Sequence, residues 1–151
     1  MLSTCIDRHL ADCRIAIADD DPDTLELIEL AVRGPGVEIH AVTNGLELLE
    51  LLANCEPFDL IVTDVRMPSI GGLQVLASIR EAGLHTPALV VTGLDNPALS
   101  DTISRLGNAM LVRKPFEIAE LQHAVATLLE PRLEPGQRVS GQRFGVPHQI
   151  P

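Results

Sequence analysis

The stretch Asp59-Leu60-Ile61-Val62-Thr63-Asp64-Val65-Arg66-Met67-Pro68 decides the fold. Its apolar run is rich in β-branched residues, too short for a membrane span or a long helix, and soon closed by a proline. Such a run is a buried parallel strand, here with Asp64 at its carboxyl end. Open α/β sheets place their chemistry at that end of their strands. An acid in that place also serves as an ordinary turn or capping residue, so the remaining strand ends carry the decision.

Working outward, Arg14 to Ala18 forms a first strand, followed by Asp19-Asp20-Asp21-Pro22, with Asp21 as N-cap and Pro22 at the first helical position. Leu25, Ile28 and Val32 give that helix its core stripe, and Gly34-Pro35-Gly36 ends it. Val37 to Val42 is a second strand, poorer in apolar residues and therefore nearer an edge. Leucines from Leu46 to Leu52 mark a helix before the Asp64 strand, and Gly71-Gly72 loosens the loop before a helix carrying Leu73, Leu76 and Ile79. Ala88 to Thr92 is another buried strand. Asn96-Pro97 repeats the cap-then-proline signature ahead of a thinly apolar helix with Leu99, Ile103 and Leu106. Ala109 to Arg113 is the last strand, Lys114-Pro115-Phe116 the loop after it, and Ile118, Leu121, Val125 and Leu128 the stripe of the final helix.

Five strands alternating with five helices predict an α/β fold: a five-stranded parallel sheet with helices on both faces, because each crossover is right-handed and carries a helix across one face. The expected strand order is 2-1-3-4-5, the flavodoxin-like variant, whose crevice opens at the carboxyl ends of the first and third strands. Residues 1–13 form a leader in which Leu2, Ile6 and Leu10 make a short helical stripe, 14–130 the domain, and 131–151 a flexible tail of Pro, Gly, Gln and Arg.

The composition narrows the chemistry. The 151 residues are 46% hydrophobic, enough for one domain with a real core. The formal charge of −10 disfavours direct binding to nucleic acid or an anionic membrane and favours a cation or a basic partner. No apolar run approaches about 18 residues and no signal peptide is recognisable, so the chain reads as cytoplasmic. Cys5, Cys13 and Cys55 are scattered without metal-ligand spacing and read as reduced thiols.

The crevice gathers Asp19, Asp20 and Asp64. Three carboxylates so close repel one another unless a proton or cation is shared, and an oxygen-only set suits Mg²⁺. Thr92 ends the fourth strand and Lys114 follows the fifth, so a hydroxyl and an ammonium face the same mouth.

At these residues the chain resembles the response-regulator receiver domains of two-component signalling, the CheY-like family. Ile17-Ala18-Asp19-Asp20-Asp21-Pro22, Asp64-Val65-Arg66-Met67-Pro68, Val91-Thr92-Gly93 and Lys114-Pro115-Phe116 match successive motifs of that family, over roughly Arg14 to Glu130. The resemblance implies that Asp64 is a phosphoacceptor, fed by a sensor histidine kinase or a histidine phosphotransfer protein. It also implies that Asp20, Asp64 and the backbone carbonyl of Arg66 bind Mg²⁺ directly, with Asp19 acting through water. Thr92 would bond a phosphoryl oxygen, Lys114 would pair with Asp64 or the phosphoryl group, and the Lys114-Pro115 bond would be cis. Such a chain is no enzyme beyond its own phosphorylation and dephosphorylation, acts on a downstream protein target, and is compatible with a homodimer. With no DNA-binding, cyclase or kinase segment after Glu130, it reads as a stand-alone receiver.

The chain departs from the family pattern at Leu111, where an aromatic residue is frequent, at Gly71-Gly72 in place of Asp-Gly, and at Gly93 after the threonine. Three rival readings compete. A haloacid-dehalogenase-like phosphatase would use Asp19 and Asp21 as a D-x-D pair, but it lacks a further acidic pair after the lysine and leaves Asp64 unexplained. A flavodoxin-like cofactor binder needs a glycine- and hydroxyl-rich phosphate loop and aromatics, whereas the chain has three acids there and no Trp or Tyr. A non-phosphorylated interaction module would not keep the full acid set.

Overall fold

The computed structural model describes residues 12–130. The leader expected over 1–13, with its helical stripe, lies outside them apart from Asp12 and Cys13, and so does the tail expected over 131–151. Five strands, β1 (Cys13–Ala18), β2 (Val37–Val42), β3 (Leu60–Thr63), β4 (Ala88–Thr92) and β5 (Ala109–Arg113), alternate with five helices. These are α1 (Pro22–Val32), α2 (Gly45–Asn54), α3 (Gly72–Glu81), α4 (Leu99–Leu106) and α5 (Ile118–Leu129). All strand pairs are parallel, in the expected order β2-β1-β3-β4-β5, which leaves β2 at an edge as its weaker apolar pattern suggests.

The period-2 alternation of the strands divides the core in two. Ile15, Ile17, Leu60, Val62, Leu89, Val91 and Val112 face the helices α1 and α5. Ala16, Ala18, Ile61, Ala88 and Val90 face α2, α3 and α4. β1, β3 and β4 sit inside the sheet, so their side chains are buried on both faces, each large aliphatic one contributing about 1.5–3 kcal/mol. That rigid centre carries the strand ends from which the acids project.

Local chemistry sets the helix starts. Asp21 is the N-cap of α1: its side chain accepts from the Asp23 N–H and from the Thr24 hydroxyl, the latter at 2.7 Å, and Pro22 opens the helix. Asn44 caps α2 through Glu47 N–H at 2.8 Å. The Asn96-Pro97 signature is misleading. The Asn96 side chain accepts from Ala98 N–H at 3.0 Å and its carbonyl from Leu99 N–H at 3.0 Å, which makes a turn, and the helix starts at Leu99 instead of Pro97. The turn delivers Leu99 into the core, and α4 buries only Leu99 and Ile103.

At the other end of α4, the Arg80 side chain of α3 donates to the carbonyls of Leu106 at 3.1 Å and Gly107 at 3.0 Å, and to that of Leu84 at 3.1 Å. It thereby satisfies carbonyls that the last turn of a helix leaves without partners.

Gly71-Gly72 does not loosen its loop. Gly72 is the first residue of α3, and a Cβ there would lie 2.0 Å from the Asp64 carbonyl oxygen and 2.6 Å from the Thr63 hydroxyl. The Gly72 N–H donates to the Val65 carbonyl at 2.9 Å, which folds the loop after β3 back against the helix start. The glycine is needed for close approach of two backbones, and it fixes the backbone that carries Asp64. Gly72→Ala should therefore cost about 2 kcal/mol or more, lowering the melting temperature by roughly 8 °C. A thermal melt checks this.

Candidate functional site

β1 and β3 are neighbours in register, with Ala18 opposite Thr63, so Asp19 and Asp64 leave adjacent strands side by side. The ladder continues beyond them: Asp64 N–H donates to the Ala18 carbonyl at 3.0 Å and Asp19 N–H to the Val42 carbonyl at 3.2 Å. Asp19 is fully buried, Asp64 is buried and Asp20 is exposed, and each of the three offers a carboxylate oxygen within 4.8 Å of the others. Asp21 is not one of them, because its carboxylate is taken up in capping α1.

Lys114 reaches the pair from β5. Its Nζ donates to Asp19 Oδ2 and to Asp64 Oδ2, both at 2.9 Å. The remaining oxygens are held by backbone: Asp21 N–H donates to Asp19 Oδ1 at 2.9 Å and Val65 N–H to Asp64 Oδ1 at 2.6 Å. Neither donor is visible in the sequence, because each depends on the turn taken after its strand. The Lys114-Pro115 bond is cis, as the resemblance implies.

Thr92 is buried at the end of β4 and lines a shallow cleft with Asp64, Arg66, Gly93, Leu94 and Asp95. Its Oγ1 accepts from Leu94 N–H at 3.1 Å, which leaves the hydroxyl proton available to an acceptor. The site therefore offers a recessed carboxylate, a neighbouring acid pair, an ammonium and a hydroxyl at one mouth.

A doubly wound α/β domain with acids at the ends of its first and third strands and a lysine after its fifth is the receiver class of architecture. The chain belongs to the response regulator receiver domain family, whose model matches residues 15–126. Response regulator protein PilR of Pseudomonas aeruginosa is 33% identical over 116 residues, covering 77% of this chain and 26% of PilR. Response regulator MprA of a Mycobacterium species is 34% identical over 118 residues, covering 77% of this chain and 50% of MprA. The chain thus spans between a quarter and a half of the length of these curated relatives. Among solved structures, the receiver domain of Francisella response regulator 1452 superposes with a TM-score of 0.71 at 27% identity, covering 79% of this chain and 98% of that one. The chemotaxis response regulator CheY4 of Vibrio cholerae shares the fold, with a TM-score of 0.69 at 23% identity and coverage of 78% of this chain and 98% of that one.

The electrostatics of the mouth are uneven. Burial raises the Asp19 pKa by penalising its charged form, and the Asp21 N–H and Lys114 offset this only in part. Burial also pulls the Lys114 pKa down, but its hydrogen bonds to Asp19 and Asp64 and their negative charges outweigh it, so the net shift is upward and the ammonium stays charged at neutral pH. A carboxyl group whose folded pKa lies above its unfolded value contributes stability fully present below the unfolded value and lost as pH rises through the folded one. At neutral pH the Asp19 carboxylate accordingly costs stability. In chelator at pH 7, Asp19→Asn should melt a few degrees above the parent, with the gap closing as the pH falls toward the ordinary carboxyl pKa of 3.8. Melts across that range test it, and a variant that melts lower at pH 7 would mean that the bond to Lys114 outweighs the burial cost.

Proposed function

We propose that this chain is the phosphoacceptor of a two-component phosphorelay, taking a phosphoryl group onto Asp64 from a sensor histidine kinase or a histidine phosphotransfer protein. The observation that carries this reading is the bridge from Lys114 Nζ to Asp19 and Asp64 beside a third acid, in a chain of the receiver family. An oxygen of the Asp64 carboxylate attacks the phosphorus of a phosphohistidine. A P–O bond forms, the P–N bond breaks, and its electron pair stays on the imidazole of the donor.

Phosphoryl transfer needs in-line positioning and charge stabilisation more than covalent help. The Val65 N–H and the loop closed by Gly72 hold the Asp64 carboxylate in place. Lys114 is placed to follow the developing charge from the carboxylate to the phosphoryl oxygens, and the Thr92 hydroxyl to donate to one of them. The donor set fits a hard cation: three carboxylates, hydrated access through the exposed Asp20, and a single ammonium that leaves two negative charges unbalanced. Asp20, Asp64 and the Arg66 carbonyl would hold Mg²⁺ directly and Asp19 through water, the ion supplying charge neutralisation between carboxylate and phosphoryl group. The output is altered binding of a downstream protein, and the chemistry turns over only the chain's own aspartate.

The use of Asp21 as the N-cap of α1 argues against the D-x-D phosphatase reading, since that chemistry would need the carboxylate that caps α1. Incubation with acetyl phosphate should label Asp64 in Mg²⁺ and not in excess chelator. Asp64→Ala should lose the label, and Asp20→Ala should weaken Mg²⁺ binding more than Asp19→Ala because a direct ligand is lost. Labelled peptides and a Mg²⁺ titration read both, and wild-type labelling of Asp64→Ala would overturn the assignment.

A further inference from the structure

Arg113 is the last residue of β5 and pairs in register with Thr92 across the parallel β4–β5 ladder. By strand alternation it shares a face with Leu111, which packs with Ala109 against the α2, α3 and α4 side, while Met110 and Val112 face α1 and α5. Leu111 offers that face neither a ring that could swing nor a hydroxyl. Two positions on, Arg113 reaches the loop between β4 and α4 instead. Its NH1 donates to the Leu94 carbonyl at 2.9 Å and lies 4.0 Å from the Asp95 carboxylate.

Leu94 is thereby held at both of its peptide groups. Its N–H donates to the Thr92 hydroxyl oxygen at 3.1 Å and its carbonyl accepts from Arg113. Leu94 and Asp95 also line the cleft over Asp64. A phosphoryl group on Asp64 attracts the Thr92 hydroxyl, and the Leu94 N–H bonded to that hydroxyl must follow it or let go. Following it strains the Arg113 bond to the same residue, and letting go gives up the bond to Thr92 while Arg113 keeps Leu94 in place. The Arg113 contact therefore opposes the displacement that the phosphoryl group demands.

We propose that Arg113 is a positioning residue that latches the loop from Gly93 to Asn96 in its unphosphorylated arrangement, through the Leu94 carbonyl. The proposal rests on the reading of Asp64 as phosphoacceptor. It predicts that removing the guanidinium favours the arrangement in which the site is charged. A simple electrostatic role predicts the opposite sign, because taking a cation away from the cleft weakens an anion. Arg113 is nearly half exposed, so the latch is modest: one exposed charged hydrogen bond shifts a two-state population by about threefold to tenfold.

The test is binding of beryllofluoride, a tetrahedral mimic of the aspartyl phosphate, to the full chain in Mg²⁺, followed by amide chemical shifts. Arg113→Ala should bind it about threefold to tenfold more tightly, with Mg²⁺ affinity unchanged and with the Gly93 and Leu94 amides of the free protein already displaced toward their bound positions. Unchanged or weaker binding by Arg113→Ala overturns the latch. Asp95→Asn keeps the Leu94 bond and should change the affinity less, and an effect equal to that of Arg113→Ala overturns the assignment to the carbonyl. If the parent and Asp64→Ala respond alike to beryllofluoride, it is the phosphoacceptor reading that falls. The latch is then read from hydrogen exchange at Gly93 and Leu94 in the free protein, which Arg113→Ala should accelerate, and unaltered exchange overturns it.

Discussion

The bridge from Lys114 to Asp19 and Asp64 is the contact on which the mouth of this domain depends. At an effective dielectric of about 20, two unit charges no more than 4.8 Å apart repel by at least about 3.5 kcal/mol, while a pair at 2.9 Å attracts by about 6, before solvation is counted. One ammonium placed between two carboxylates thus more than offsets their mutual repulsion. Against three carboxylates one ammonium leaves two negative charges over, and the exposure of Asp20 lets water carry part of what the lysine does not. Excess negative charge, oxygen donors and solvent access in one place are the conditions a small divalent cation meets best.

That contact constrains the sheet in turn. Its three members follow β1, β3 and β5, and β4 lies between the last two. Lys114 can span that distance only if the parallel registers hold, and the Lys114 N–H bond to the Thr92 carbonyl at 2.9 Å carries the ladder one step past the strand ends. The apolar, doubly buried interior strands are what prevents slippage, since a shift by one residue would turn every side chain to the opposite face.

Much of this was legible in the chain itself. Short β-branched runs ending in acids located the strands, and the alternation of strand and helix located the layers. The order of the sheet and the gathering of Asp19, Asp20 and Asp64 followed from them. What the sequence concealed are contacts set by distance instead of residue type. A Gly-Gly pair looks like a flexible loop, and only the approach of Gly72 to the Asp64 carbonyl reveals it as a spacer. Asn96-Pro97 looks like a helix start because local hydrogen bonding is the same in a turn, and burial of Leu99 is what settles where α4 begins. The sequence is silent on the roles of Arg113 and Arg80, since no local pattern tells which distant carbonyl a guanidinium will find.

Arg80 also gives α4 its mechanics. By taking the carbonyls at Leu106 and Gly107 it ties down one end of the helix, while the opposite end, seated in the core by Leu99, is joined to the loop that follows Thr92. If its first turn were displaced, a rod held in this way would turn about the tied end instead of sliding. With eight residues and a length of about 12 Å, a 2 Å displacement at the Leu99 end would be a rotation of roughly 10°. In such a rotation residues near Leu99 would sweep through most of the arc and those near Leu106 would scarcely move. On the proposed function, the outer surface of this helix would be graded in its sensitivity: a partner that grips its first turn would register the state of the acidic mouth, and one that grips its last turn would be blind to it.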